Sequence, residues 1–208
     1  LAVLAGLSAR PLLPIGAMLG VHSWVFQGWS ALHFAALLLA ASAALREFFR
    51  AARHARAQLR LLAVTAGLVT LGALCLLPIT ARDALIHHLA VPKLWLESGR
   101  IEMIPWHSWS FYPMLANLGF VSLLDWGVER FAALYHALYL ILLCGTAQSF
   151  AVQVGEDEDL GVDIFFCTLF LPILFRLAST PLVDVPLALW SFAAIVFLIR
   201  WREEHAPW

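Results

Sequence analysis

The chain has 208 residues, 62% hydrophobic and only 13% charged, with a formal net charge of −1 and a mean hydropathy of +0.84. A soluble domain carries about a quarter charged residues, so this composition excludes an ordinary water-soluble protein. With no basic excess it also excludes a nucleic-acid binder. Lys93 is the single lysine among the cations, and Cys75, Cys144 and Cys167 all lie inside apolar runs, where unpaired thiols are expected.

The 35 residues between Arg10 and Arg46 carry no charge, too many for one span of about 20. Gln27-Gly28 offers a turn, which predicts two short helices, Pro11–Phe26 and Trp29–Leu45; one long helix with an interfacial extension is the alternative. The chain starts at Leu1 inside an apolar stretch and stops at Trp208 just after a helix runs out into polar residues. Both features lead us to expect part of a longer polytopic protein.

Arg46, Arg50, Arg53, Arg56 and Arg60 follow at roughly helical spacing with His54 among them. The positive-inside rule makes this stretch cytoplasmic. The uncharged run Leu61–Ala81, 21 residues, then carries the chain outward, so that Asp83 to Glu129 lies on the extracytoplasmic side. Phe131–Gly155 returns, Glu156-Asp157-Glu158-Asp159 becomes a cytoplasmic loop, Ile164–Val183 crosses outward and Val185–Ile199 comes back to Arg200 and Arg202. The segment Phe111–Trp126 is only 16 residues long, and we expect an amphipathic helix at the outer interface with Trp106, Trp109, Tyr112 and Trp126 at headgroup level. A full span there would invert everything downstream. The fold class is therefore all-α, a transmembrane bundle of about six spans. Residues 1–60 form an N-terminal hairpin with its basic loop, and residues 61–208 a membrane core with an outer loop over 82–129.

An ionisable cluster beside a membrane helix is a functional-site candidate. Asp83 follows the Leu61–Ala81 run by two residues, and a helical continuation puts His87 one turn on, on the same face. An Arg-Asp pair marking a membrane boundary is the plainer reading. Asp184 sits between Pro181 and Pro186, either as an exposed loop acid or as a cap for the Val185 helix. Arg176 lies eight residues before it, about 12 Å deeper if the chain is helical throughout, held by snorkelling or by an anionic partner. Arg82, Lys93, Arg100 and Arg130 make the outer face suited to an anionic headgroup. His87, His88 and His107 with Glu97 and Glu102 are candidates for a divalent ion, although the spacing matches no standard zinc pattern and adjacent helical histidines point apart. Glycine-rich phosphate loops, G-x-S-x-G elbows and H-E-x-x-H are absent from the sequence.

The stretch Asp83-Ala-Leu-Ile-His87-His88-Leu-Ala-Val-Pro92-Lys93-Leu-Trp-Leu-Glu-Ser-Gly99-Arg100-Ile, followed by Ile104-Pro105-Trp106 and Ser110-Phe-Tyr-Pro113-Met, resembles the first extracytoplasmic loop of bacterial GT-C glycosyltransferases. These are polytopic enzymes related to protein O-mannosyltransferases and to the aminoarabinose transferase of lipid A. The segment Ser179-Thr-Pro-Leu-Val-Asp184-Val-Pro-Leu-Ala-Leu-Trp190 resembles the second acidic loop of that family. The resemblance covers residues 61 to 203.

It implies transfer of a sugar from a polyprenyl-phosphate donor to a lipid, glycan or protein hydroxyl outside the cytoplasm, in a bacterial inner membrane. Asp83 would be the general base of an inverting reaction, and Asp184 the second acid. His87, His88, Lys93, Arg100, Arg130 and Arg176 would face substrate and phosphate. The sequence departs from the family at His87-His88, where Tyr-His is frequent, at Trp106-His107 for Trp-Asn, at Asn117 for a glutamate, and at the acidic tetrad in place of a basic loop. Relatives carry further spans after the point where this chain stops, so these residues alone are expected to be inactive. The competing readings are a transporter or flippase fragment, with Asp83, Asp184 and Arg176 on a path near the midplane, and a structural subunit whose aromatic residues contact lipid.

Overall fold

The computed structural model describes residues 23–54, 58–112 and 114–205. Among them there is no strand. The helices are α1 Ser23–His54, α2 Gln58–Cys75, α3 Ala90–Ser98, α4 Leu118–Asp125, α5 Ala132–Gly155, α6 Glu158–Leu169, α7 Pro172–Ala178 and α8 Asp184–His205, with a π-helical turn at Ala84–His88. Four are long and apolar enough to cross a membrane, and a fifth span results if the bent pair α6–α7 is one crossing. Within their most apolar windows only 17 to 33% of residues are buried by protein. Exposed Leu32, Leu39, Leu62, Val69, Leu187 and Phe197 therefore require an apolar solvent, as a bilayer provides. The architecture is an all-α polytopic bundle.

The first expected turn does not form. Gln27-Gly28 lies within α1, which runs unbroken for 32 residues. One glycine costs a helix only about 1 kcal/mol, less than exposing unpaired backbone in hydrocarbon. Of the expected Pro11–Phe26 span, the part before Ser23 lies outside the described residues. The basic stretch is not a loop up to His54 either: Arg46, Arg50 and Arg53 all lie within α1, Arg53 in its last turn, where a cation offsets the helix dipole, and Arg50 pairs with Glu47 one turn back.

Two further spans differ from expectation. The Leu61–Ala81 run is helical only to Cys75, since Pro78 cannot continue it. The Ile164–Val183 run breaks between α6 and α7, which are bent by 62°. Pro172 is the cause: it starts α7, and Leu171 before it is extended, with φ −63° and ψ 114°. The 12 Å depth expected for Arg176 falls with this break and with the non-helical Thr180–Val183. The acidic tetrad is part loop and part helix start. Asp157 caps α6 by accepting from the Asp159 N–H at 2.8 Å, with Glu158 and Asp159 in the first turn, where the helix dipole favours them.

The described residues divide into two compact units, one holding residues 23–36 with Pro78–Ala132, the other Leu37–Leu77 with residues 133–205. In the second, Phe48 of α1 is fully buried against Phe165 of α6, with ring centroids 4.4 Å apart. Gly145 of α5 meets Ala44 of α1 so closely that a methyl group on Gly145 would lie 2.5 Å from the alanine Cβ, the small-residue packing that lets membrane helices approach. Arg60 of α2 reaches Asp163 of α6 at 2.7 Å.

The first unit builds its core from Val91, Trp95, Ile104 and Val121, with Leu94, Leu96, Ile101, Met114 and Leu118 around them. Ser30 on α1 shares a 2.8 Å hydrogen bond with Ser122 on α4, and Phe34 packs on Trp126. The Phe111–Trp126 segment is not an amphipathic helix. It is a short 3₁₀ turn at Leu115–Asn117 leading into α4, whose Gly119, Phe120, Val121, Ser122 and Leu123 are buried in succession. A helix apolar all round is covered on all sides. Trp106, Trp109 and Tyr112, ahead of it, are exposed.

Candidate functional site

The first unit gathers most of the ionisable candidates. After α2 ends, the chain turns back into helix at Arg82 and immediately widens: the Leu89 N–H reaches the Ala84 carbonyl at 2.9 Å, five residues back. Such π turns recur at functional sites. Asp83 stands at the entrance to the turn, exposed, in helical conformation with φ −66° and ψ −38°.

Four residues on, His87 is half-buried and stacked on Trp109, centroids 5.0 Å apart and 18° from parallel. Trp109 in turn stacks on Tyr112 at 5.6 Å. Burial lowers the His87 pKa below its usual 6.5; the Asp83 carboxylate opposes that shift and the neighbouring His107 adds to it. His87 is accordingly neutral at pH 7 and electrostatically coupled to Asp83.

His87 and His88 do not point apart. Their ring centroids are 3.8 Å from each other, because closure over five residues spreads consecutive side chains through a smaller angle than an α-turn does. His88 is held from behind: buried Asn117 donates its amide to His88 Nδ1 at 3.3 Å and approaches the His88 carbonyl at 3.5 Å. The accepting nitrogen is unprotonated, so the neutral ring carries its proton on Nε2. His107 donates from Nε2 to the Ile86 carbonyl at 2.9 Å. The buried Nδ1 atoms of His87 and His107 find no partner among the described residues.

The loop that carries His107 and Trp109 is fastened through Ser110. Its Oγ accepts from the Ile104 N–H at 2.7 Å and faces the His107 carbonyl at 2.8 Å. Trp95 ties α3 to the same loop by donating to the Glu102 carbonyl at 2.8 Å. Gly99 ends α3 at φ +69°, the left-handed position glycine fills without strain.

The cations lie around this core at the surface. Arg82, Lys93, Arg100 and Arg130 are exposed, and the Arg130 guanidinium rests 4.8 Å over the Phe131 ring. Glu97 and Glu102 are exposed as well. No group of three histidine, cysteine or acidic side chains able to hold a metal ion occurs among the described residues. Arg176 and Asp184 belong to the second unit. Asp184 opens α8 with an exposed carboxylate, and Pro186 falls in the first turn, where its missing N–H leaves no helical bond unmade.

Sequence reasoning missed the role of Asn117 as the clamp on His88; the signal was an asparagine alone in an apolar run. It also missed Asp125, at the end of α4, whose carboxyl is pushed above its usual 3.8 by burial. The cysteines carry free thiols, Cys75 and Cys144 buried and Cys167 exposed.

No family model, curated protein or solved structure matches this chain.

Proposed function

We propose that the chain is the membrane portion of a glycosyltransferase that takes a sugar from a polyprenyl-phosphate carrier and passes it to a hydroxyl acceptor at the extracytoplasmic face. Asp83 accepts the hydroxyl proton. The acceptor oxygen attacks the anomeric carbon, the bond from that carbon to the phosphate oxygen breaks, and polyprenyl phosphate leaves with its electron pair, inverting the anomeric centre. Lys93, Arg100 and Arg130 offer charge to the leaving phosphate.

The observation that carries this reading is the setting of Asp83. It is an exposed carboxylate at the mouth of a π turn, coupled to a neutral His87, beside exposed stacked aromatic rings of the kind on which sugar faces pack. It stands shortly after a membrane-length helix, within reach of a lipid-borne substrate. The test is Asp83→Asn in the full-length protein, assayed with a polyprenyl-phosphate-linked sugar. Turnover should fall by about 10²–10⁴, the usual contribution of a general base. Unchanged turnover at normal expression removes the assignment.

One feature favours a second reading. The bent α6–α7 pair has the form of a broken span or a re-entrant loop, and broken helices line substrate paths in transporters. A flippase moves its lipid without cleaving it, so release of free polyprenyl phosphate separates the two.

A further inference from the structure

The break between α6 and α7 opens a cleft of about 750 Å³ against α2, entirely within the second unit. This is the size of a small-molecule site. Ala63, Ala66 and Thr70 line one wall, on a single face of α2, and the Phe170 ring closes onto Gly67 between them so tightly that a Cβ there would lie 2.6 Å from the ring. Phe170 and Phe175 form the other wall, nearly parallel at 8° with centroids 6.2 Å apart across the break. Non-helical backbone at membrane depth is tolerated where it is covered by protein or lines a cavity, and the cleft lies at this break.

The rim is the informative part. Arg176 is the one charged residue among those lining the cleft. It is exposed, and no carboxylate pairs with it among the described residues, where the ion pairs are Arg50–Glu47 and Arg60–Asp163. The nearby hydroxyls spend their protons on the backbone, Thr70 to the Ala66 carbonyl and Ser179 to the Arg176 carbonyl, both at 2.8 Å. A mostly apolar cleft lined by a single unpaired guanidinium matches one ligand class, an amphiphile with a hydrocarbon chain and one negative charge.

We infer that the cleft is a binding site for an anionic glycerophospholipid of the bilayer, an acyl chain lying along Ala66 and Thr70 and the phosphodiester on Arg176. A single cation complements a monoanionic diester; the dianionic monoester of a free polyprenyl phosphate calls for a second cation, which the cleft lining does not supply, whereas a sugar-linked polyprenyl phosphate is itself a monoanionic diester and is the competitor the experiment includes. The inference stands apart from the sugar-transfer reading, since it involves neither Asp83 nor any turnover.

The experiment is native mass spectrometry of the purified chain, exchanged from detergent into phosphatidylglycerol or into diacylglycerol with the same acyl chains. Phosphatidylglycerol should be retained about tenfold more strongly, the scale of one charge-assisted hydrogen bond. Arg176→Gln should abolish that preference while Arg176→Lys keeps much of it. Ala66→Phe, at an exposed position on the α2 wall, should block retention of both lipids. Equal retention of the two lipids by the unaltered protein overturns the inference and needs no variant. Displacement by inorganic phosphate at equal concentration would overturn it in favour of a simple ion site. Stronger retention of polyprenyl monophosphate or of a sugar-linked polyprenyl phosphate than of phosphatidylglycerol would overturn it in favour of a carrier-lipid site.

Discussion

Gly145→Ala tests the packing of the second unit with a single methyl group. The added carbon would lie 2.5 Å from the Ala44 Cβ and 3.4 Å from its Cα, whereas carbon atoms settle at about 3.5–4.0 Å. Ala44 has no rotamer with which to give way, so α1 and α5 must part by about 1 Å. Overpacking of this kind costs about 1–3 kcal/mol. The control is Gly72→Ala in α2, where no heavy atom lies within 4 Å of the new methyl. Both variants gain the same helix propensity, about 1 kcal/mol, and that term cancels between them. Gly145→Ala should therefore be the less stable of the two by about 1–3 kcal/mol, read from unfolding followed by tryptophan fluorescence in one detergent. If Gly145→Ala matched or exceeded Gly72→Ala, the close approach of α1 and α5 would be wrong.

The other predictions concern the first unit. Asn117→Leu leaves His88 Nδ1 buried without its donor and should cost about 1–3 kcal/mol in the same unfolding assay, without shifting the unfolding of the second unit if the two are resolved. The stability of the first unit should depend on pH through His87. Its folded pKa is lowered from 6.5, so the unfolded chain binds the proton more readily. The contribution is complete above pH 6.5 and is lost as the pH falls below it toward the folded value. His87→Gln should reduce the slope of thermal midpoint against pH over that range, and an unchanged slope would place the titration elsewhere.

Much of the bundle was legible because long uncharged runs have few alternatives: α5 lies in one, and most of α2 and of α8 does, with Arg60, Asp184, Arg200 and Arg202 toward their ends. Breaks inside those runs were harder to read. Gln27-Gly28 looked like a turn, yet one glycine is cheap in a helix that hydrocarbon forces to keep its hydrogen bonds. Leu171-Pro172 was the stronger signal, since proline constrains the residue before it, and the bend lies there. In the first unit, the Asp83–His87 spacing suits an α-turn and a π turn alike, so sequence fixes the neighbour relation but not the approach of His87 to His88. The burial of α4 was hidden by its length. Eight residues cannot show whether an apolar segment meets lipid or protein; contacts with Ser30 and with the Val91–Trp95 core decide it.

The central claim is that a lipid-linked sugar is the donor and that its phosphate bond breaks. Membranes containing the full-length protein should be incubated with a sugar-labelled polyprenyl phosphate and acceptor-bearing lipid, and the free polyprenyl phosphate and the anomeric configuration of the product measured together. The account predicts stoichiometric release of polyprenyl phosphate and a glycoside of inverted configuration, both lost in Asp83→Asn. Movement of the intact donor across the membrane without release, or a product of retained configuration, would contradict it.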